Sequence, residues 1–212
     1  MTKTSSFDPE CKQCKRLATF LKESKKKYPD YHCAPVAPFG PDKIKLLIVG
    51  LAPGFHGANA TARPFTGDHA GIILYETLYK YGFSNQPIST SLDDGLKLKQ
   101  CRITNAVKCV PPQNKPTSEE IYACNKFLQQ ELLSLASGTV ILALGGIAHN
   151  AVLRALELRL KEYKFGHGNT HALSHDLTLI DSYHCSRYNT QTRRLTVDMF
   201  QSIFKKINTL IS

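Results

Sequence analysis

The stretch Ile44-Lys45-Leu46-Leu47-Ile48-Val49-Gly50, running into Leu51-Ala52-Pro53-Gly54-Phe55-His56-Gly57, decides the fold. An apolar run rich in Leu, Ile and Val that stops at a Gly- and Pro-dense segment reads as a strand buried on both faces and ending in a loop. Three more runs share that character: Arg102–Val107 (RITNAV), Thr139–Leu144 (TVILAL) and Leu177–Asp181 (LTLID). Helical patterns lie between and after them. Gly71–Tyr81 carries Ile72, Leu74, Leu78 and Tyr81 at helical spacing, and Ser118–Leu135 opens on the capping sequence Thr117-Ser118-Glu119-Glu120. Ile147–Tyr163 and Thr196–Leu210 follow the third and fourth strands.

Uniformly apolar strands alternating with helices imply a parallel sheet covered on both faces. The expected fold is therefore α/β, a three-layer α/β/α sandwich around a mainly four-stranded parallel sheet. Residues 1–40 contain no clear strand and are expected to form a helical appendage. With no internal repeat or low-complexity linker, residues 1–212 read as a single domain. Right-handed crossovers put every strand's C-terminal end on one rim, where ligands bind in such sheets. The segments on that rim are 51–69, 108–117, 145–149 and 182–194.

Charge narrows the partners. The formal net charge is +10. Residues 1–30 hold eight Lys/Arg against four acids, and residues 182–212 hold five against one. Basic ends of this kind attract polyanions, nucleic acid foremost, although a run such as Lys25-Lys26-Lys27 also suits a merely solvated helix face. No apolar run approaches the roughly 20 residues of a membrane span. The N-terminus has no signal-like apolar core, so the expectation is a cytoplasmic protein, nucleoid-associated in a prokaryotic cell.

Seven cysteines in such a chain point to thiols or metal rather than disulfides. Cys11 and Cys14 form a Cys-x-x-Cys, and Cys109 and Cys124 form a wider pair past the midpoint. Two distant pairs can converge on one tetrahedral thiolate cage, which suits zinc or a [4Fe–4S] cluster. Such a cage would pin the N-terminal appendage to the body. Cys33, Cys101 and Cys185 are most simply free thiols.

On the rim, Arg63-Pro64-Phe65-Thr66-Gly67-Asp68 follows the first strand's glycine-rich loop, and His184-Cys185-Ser186-Arg187-Tyr188-Asn189 follows the fourth strand. Phe65, in a polar loop, is better explained as a stacking platform than as core. Asp68 suits catalysis or an N-cap for the helix beginning near His69. Asn105 ends the second strand, where an amide also serves as a backbone cap. Gly145-Gly146 precedes a helix whose amides could hold a phosphate. His167, His171 and His175 recur every four residues, but Gly166 and Gly168 argue against a helix and against a metal site there.

Gly50-Leu51-Ala52-Pro53-Gly54, Asn105-Ala106-Val107-Lys108-Cys109-Val110-Pro111-Pro112 and His184-Cys185-Ser186-Arg187-Tyr188-Asn189-Thr190-Gln191-Thr192, interleaved with the cysteine pairs, resemble the motifs of the uracil-DNA glycosylase superfamily. The resemblance spans residues 11 to about 195 and is nearest to the type-5, iron–sulfur-bearing branch. Leu51 stands where other active branches carry a carboxylate or amide, and Asp68 follows Phe-Thr-Gly as in type 5. Cys185 replaces a usual proline, and Tyr188 replaces a polar residue.

The resemblance implies a monofunctional glycosylase of DNA repair, expected as a monomer. It would hydrolyse the N-glycosidic bond of uracil in DNA and leave an abasic site, with tolerance of hypoxanthine and xanthine. It implies Asp68 and His184 as catalytic residues. Phe65, Asn105 and the Leu51, Ala52 and Gly54 loop would bind the base, and Ser186, Arg187 and Asn189 would bind DNA. Cys11, Cys14, Cys109 and Cys124 would carry a [4Fe–4S] cluster, with zinc the alternative occupant. A metal-stabilised nucleic-acid-binding module without catalysis is the competing reading. A zinc deaminase lacks its His-x-Glu here, and a Rossmann enzyme lacks its Gly-x-Gly-x-x-Gly.

Overall fold

The computed structural model describes residues 6–211. Along the chain run α1 (Lys15–Lys27), β1 (Leu46–Gly50), α2 (Ala58–Thr61), α3 (His69–Lys80), β2 (Cys101–Asn105), α4 (Ser118–Leu133), β3 (Val140–Leu144), α5 (Gly146–Ala155), β4 (Thr170–Ala172), β5 (Thr178–Ser182), α6 (Arg187–Gln191) and α7 (Val197–Ile211). The sheet order is β2-β1-β3-β5-β4, with the first four strands parallel and β4 antiparallel on the edge. Ile48 sits level with Ile103 and Leu142, and Leu142 with Ile180.

The pleat sorts the strand residues onto two faces. Leu46, Ile48, Ile103, Leu142 and Ile180 pack with Leu74 and Leu78 of α3 and Phe200 and Phe204 of α7. Leu47, Val49, Ile141, Ala143 and Leu179 pack with Phe127 and Leu128 of α4, Val152 of α5 and Leu17 of α1. Burial of each such Leu, Ile or Phe is worth about 1.5–3 kcal/mol, so both helical layers are held by the sheet's own alternation. This is the expected three-layer sandwich, extended by one strand.

Helix α4 begins with a reciprocal capping box, Thr117 accepting from the Glu120 amide while the Glu120 carboxylate accepts from Thr117 N–H. The same carboxylate takes two bonds from Arg16, at 2.7 and 2.6 Å, fastening α1 to the start of α4. The N-terminal appendage is thus helical, and it docks on the α4/α5 layer.

Several boundaries differ from expectation. Helix α5 ends at Ala155 instead of reaching Tyr163, because Glu157 adopts the left-handed region (φ 58°). Leu158, Leu160 and Tyr163 still pack on the α4/α5 core from the irregular segment beyond. Strand β2 stops at Asn105, and Ala106 and Val107 donate to the carbonyls of Gly50 and Leu51 in the loop. Strand β4 was not anticipated. Among the described residues no helix is long and apolar enough to cross a membrane.

Candidate active site

At the C-terminal ends of β1, β2 and β5 opens a cleft of about 290 Å³. Its walls include Leu51, Ala52 and Gly54 from the loop after β1, Phe65 and Asp68 before α3, Asn105, His184, Ser186 and Arg187. The rim therefore gathers residues from four separate stretches of sequence.

Phe65 is 6% exposed, adopts φ 57°, and packs into the α3/α7 core while its ring also lines the cleft. It lies at 28° to the His184 ring, centroids 5.9 Å apart. The one ring belongs both to the core and to the cleft wall. Two glycines permit its placement. A Cβ on Gly50 would sit 2.4 Å from Asn105 Oδ1 and 2.8 Å from the Phe65 ring, and one on Gly71 would sit 1.8 Å from the Phe65 carbonyl oxygen.

Asn105 is 4% exposed, and its Oδ1 has no hydrogen-bond partner in the protein. A buried unpaired acceptor costs about 1–3 kcal/mol. Asp68 caps α3, its Oδ1 accepting from Gly71 N–H at 3.0 Å. Its Oδ2 lies over Gly54 and Gly57; a Cβ on Gly57 would sit 2.7 Å from it and one on Gly54 a tight 3.3 Å. Burial raises the Asp68 pKa, opposed by the Gly71 and Ala70 amides. The cap and the cleft wall are again the same residue, since one carboxylate oxygen serves each purpose.

His184 sits at the base of the cleft, where burial pulls its pKa down to about 4. The ring is neutral at physiological pH and can donate one N–H without carrying charge. Gly145 packs beside it, His184 Cβ lying 3.6 Å from where a side chain would begin. Ser186 caps α6 and Asn189 Nδ2 donates to the His184 carbonyl at 2.8 Å, so Asn189 braces the loop and does not line the cleft. Arg187 and Tyr188 are exposed at the rim, and Cys185 is fully buried with its thiol pushed up to about 12.

The cysteines also converge. Cys11, Cys14, Cys109 and Cys124 line one small apolar cavity of about 20 Å³ between the start of α1, the loop after β2 and α4. None is in a disulfide. Lys108 N–H points at Cys124 Sγ, 3.3 Å away. Burial and the neighbouring sulfurs raise the pKa values of Cys14 and Cys109, that of Cys109 to about 12. Four free cysteines around one small cavity, with an amide aimed at one sulfur, fit an all-thiolate metal centre.

The profile of the uracil DNA glycosylase superfamily matches residues 37–208. The chain belongs to the uracil-DNA glycosylase superfamily. It is 42% identical over 205 residues to a type-5 uracil-DNA glycosylase of Thermus thermophilus, covering 94% of this chain and 93% of that one. It is 38% identical over 200 residues to a type-5 enzyme of Pyrobaculum aerophilum (92% and 87%), and 39% identical over 203 residues to one of Mycobacterium leprae (92% and 89%).

Some of the residues lining this glycosylase-superfamily cleft escaped the sequence reading. His69, the first residue of α3, lines it and bonds Thr190 Oγ1 at 3.0 Å, joining α3 to α6, and Asn114 lines it from the loop after β2. His69 stands beside Asp68, a position that could have drawn notice; Asn114 offers no signal in sequence.

A polar cluster away from the cleft was also missed. Asp181 is wholly buried; its Oδ1 accepts from His149 Nδ1 at 2.7 Å, and its Oδ2 is 3.2 Å from both His171 Nε2 and Gly166 N. Of the three histidines spaced by four, only His171 joins this cluster; His167 instead accepts from Tyr183 N–H.

Proposed function

We propose that this chain is a monofunctional type-5 uracil-DNA glycosylase, acting as a single-domain monomer on uracil, and on hypoxanthine and xanthine, in DNA. The supporting observation is the convergence of a buried unpaired amide oxygen, an aromatic wall, a carboxylate and a neutral histidine on one cleft.

The target base must leave the stack to be reached, and Phe65 then offers its ring to the extruded pyrimidine. Asn105 Oδ1 accepts from uracil N3–H and its amide donates to O4; cytosine presents the reverse pattern and leaves the buried amide mismatched. Breaking the C1′–N1 bond sends its electron pair to the base and leaves cationic character on the sugar. Neutral His184 donates to the base oxygen where negative charge gathers, with amides of the Leu51, Ala52 and Gly54 loop close by. The Asp68 carboxylate stabilises the sugar cation and takes a proton from the attacking water, whose oxygen bonds C1′. The base anion takes up a proton and Asp68 gives up the one it took, leaving free base and an abasic site. Ser186 and Arg187 hold phosphate at the rim.

Cys11, Cys14, Cys109 and Cys124 would hold a [4Fe–4S] cluster, which supplies a structural cross-link between α1, the β2 loop and α4 rather than chemistry at the cleft. Anaerobically purified protein should be brown and contain iron and sulfide; a colourless preparation with one equivalent of zinc overturns this assignment.

The test of function is single-turnover cleavage of oligonucleotides holding uracil, hypoxanthine or xanthine, followed by alkaline scission of abasic sites. Excision of uracil supports the reading. Salt-dependent DNA binding without base release would establish the non-catalytic module instead.

A further inference from the structure

Beside the cleft lies a second groove, of about 330 Å³, that the chemistry above does not use. Its walls are Phe20, Lys27 and Tyr28 of the α1 end, Phe55, and Gln113 and Asn114 of the loop after β2. Asn114 lines both cavities, and Phe55 directly follows Gly54 of the cleft wall, so the groove continues the cleft. Its aromatic surface is ordered. Tyr28 meets Phe55 edge-on at 5.4 Å, Phe20 lies 5.8 Å from Phe55, and Tyr28 stacks on Tyr31 at 4.8 Å. Tyr28 nonetheless stays 38% exposed.

The polar groups around these rings are sorted by position. Gln113 and Asn114 adopt consecutive left-handed conformations (φ 54° and 57°), unusual for residues with side chains and common at ligand-contacting sites. Lys25, Lys26 and Lys27 close the last turn of α1. Lys25 bonds the Tyr31 carbonyl, while Lys27 borders the groove. Glu23 also borders it, which disfavours a phosphate inside and leaves that role to the lysine edge. Aromatic rings, two amides and a lysine lining one groove suit a nucleobase with its backbone close by.

We propose that this groove is a second nucleobase subsite, in which a nucleotide neighbouring the extruded one on the same strand lodges its base against Tyr28 and Phe55. The proposal rests on the glycosylase reading, and its test is separable from it. Affinity for single-stranded uracil oligonucleotides is measured by fluorescence anisotropy for the parent protein, Tyr28→Ala, Tyr28→Phe and, as a surface control, Tyr79→Ala. Base–aromatic stacking sets the expected loss for Tyr28→Ala at roughly 5- to 150-fold on a long oligonucleotide, with Tyr28→Phe restoring affinity and Tyr79→Ala without effect. Trimming the oligonucleotide from each end in turn should abolish the difference between parent and Tyr28→Ala at one defined nucleotide. Equal affinities on the long oligonucleotide overturn the subsite. So does a difference that survives on oligonucleotides too short to reach past the uracil, because that marks a structural role. Failure of the parent protein to release uracil would instead strike the glycosylase reading and leave the binding result standing.

Discussion

Asp68, half-buried at the start of α3, and Asp181, wholly buried within β5, are treated oppositely. Asp181 is saturated, with His149 on one oxygen and His171 and Gly166 on the other. Asp68 caps a helix with one oxygen and leaves the other over two glycines at a cleft. A carboxylate whose acceptor sites are filled holds the backbone in place. One left partly open keeps its basicity available to water or to a developing cation. Asp68 thus has fewer donors around it than Asp181, and it faces a cleft.

The sharpest test of that contrast is Asp68→Asn. Asn caps helices about as well as Asp, so the fold should be unaffected while the charge is lost. Single-turnover uracil excision should fall by about 10²–10⁴-fold, with DNA affinity little altered. A rate equal to the parent's would make Asp68 a cap and nothing more.

Asp181→Ala should act on stability instead. Removing one partner of a buried charge pair costs about 3–5 kcal/mol, to be read from urea unfolding midpoints. A cost below about 1 kcal/mol would show that the cluster is ornamental to the fold. Asn105→Ala comes next: loss of the interaction with the base should slow uracil excision by roughly 5- to 150-fold, corresponding to about 1–3 kcal/mol. An unchanged preference for uracil over cytosine would remove Asn105 from base reading.

The smallest effects are in pH. Burial opposes charge on His149, but its hydrogen bond to Asp181 and the Asp181 charge prevail and raise its pKa. Its folded form therefore binds a proton more tightly than the unfolded chain. The stabilisation is complete below the ordinary histidine value of about 6.5 and is lost as pH rises through the folded value. Melting temperature should decline over that interval, and Asp181→Asn should flatten the decline. His184 has the opposite sign: held down to about 4, it costs stability as pH falls below about 6.5 towards that value. Excision should consequently show no imidazole titration between about pH 6 and 8; a limb near 6.5 would mean that His184 gains a proton in the complex.

The parts of this molecule that were legible in sequence are those where one stretch suffices. Strands β1 and β3 are buried along their whole length, which leaves nearly unbroken apolar runs, while β2 and β5 keep shorter ones. Strand β4 left no such trace: it is three residues long, and Thr170 and Ala172 are exposed. The end of α5 was hidden because Leu158, Leu160 and Tyr163 keep contacting the core after the helix has stopped. Asn105 and His184 could be placed because each lies at a strand end or just beyond one, where topology delivers it to the rim; Asp68, beyond α2, was placed by the Phe65-Thr66-Gly67-Asp68 stretch. The His149–Asp181–His171 cluster joins three elements with no common motif. Its one clue was an aspartate closing an otherwise apolar strand, which had to find donors once buried.

The fastening of α1 carries a consequence for how the chain is assembled. Arg16 and Glu120 are 104 residues apart in sequence, and Cys14 must find Cys109 and Cys124 across a similar span. Closing so large a loop is entropically costly and comes late, after local helices and neighbouring strands have formed. During synthesis, α1 with its terminal lysines therefore leaves the ribosome well before its docking surface exists. For that interval it is an unmoored cationic segment, and the thiols at its start are accessible until α4 arrives to enclose them.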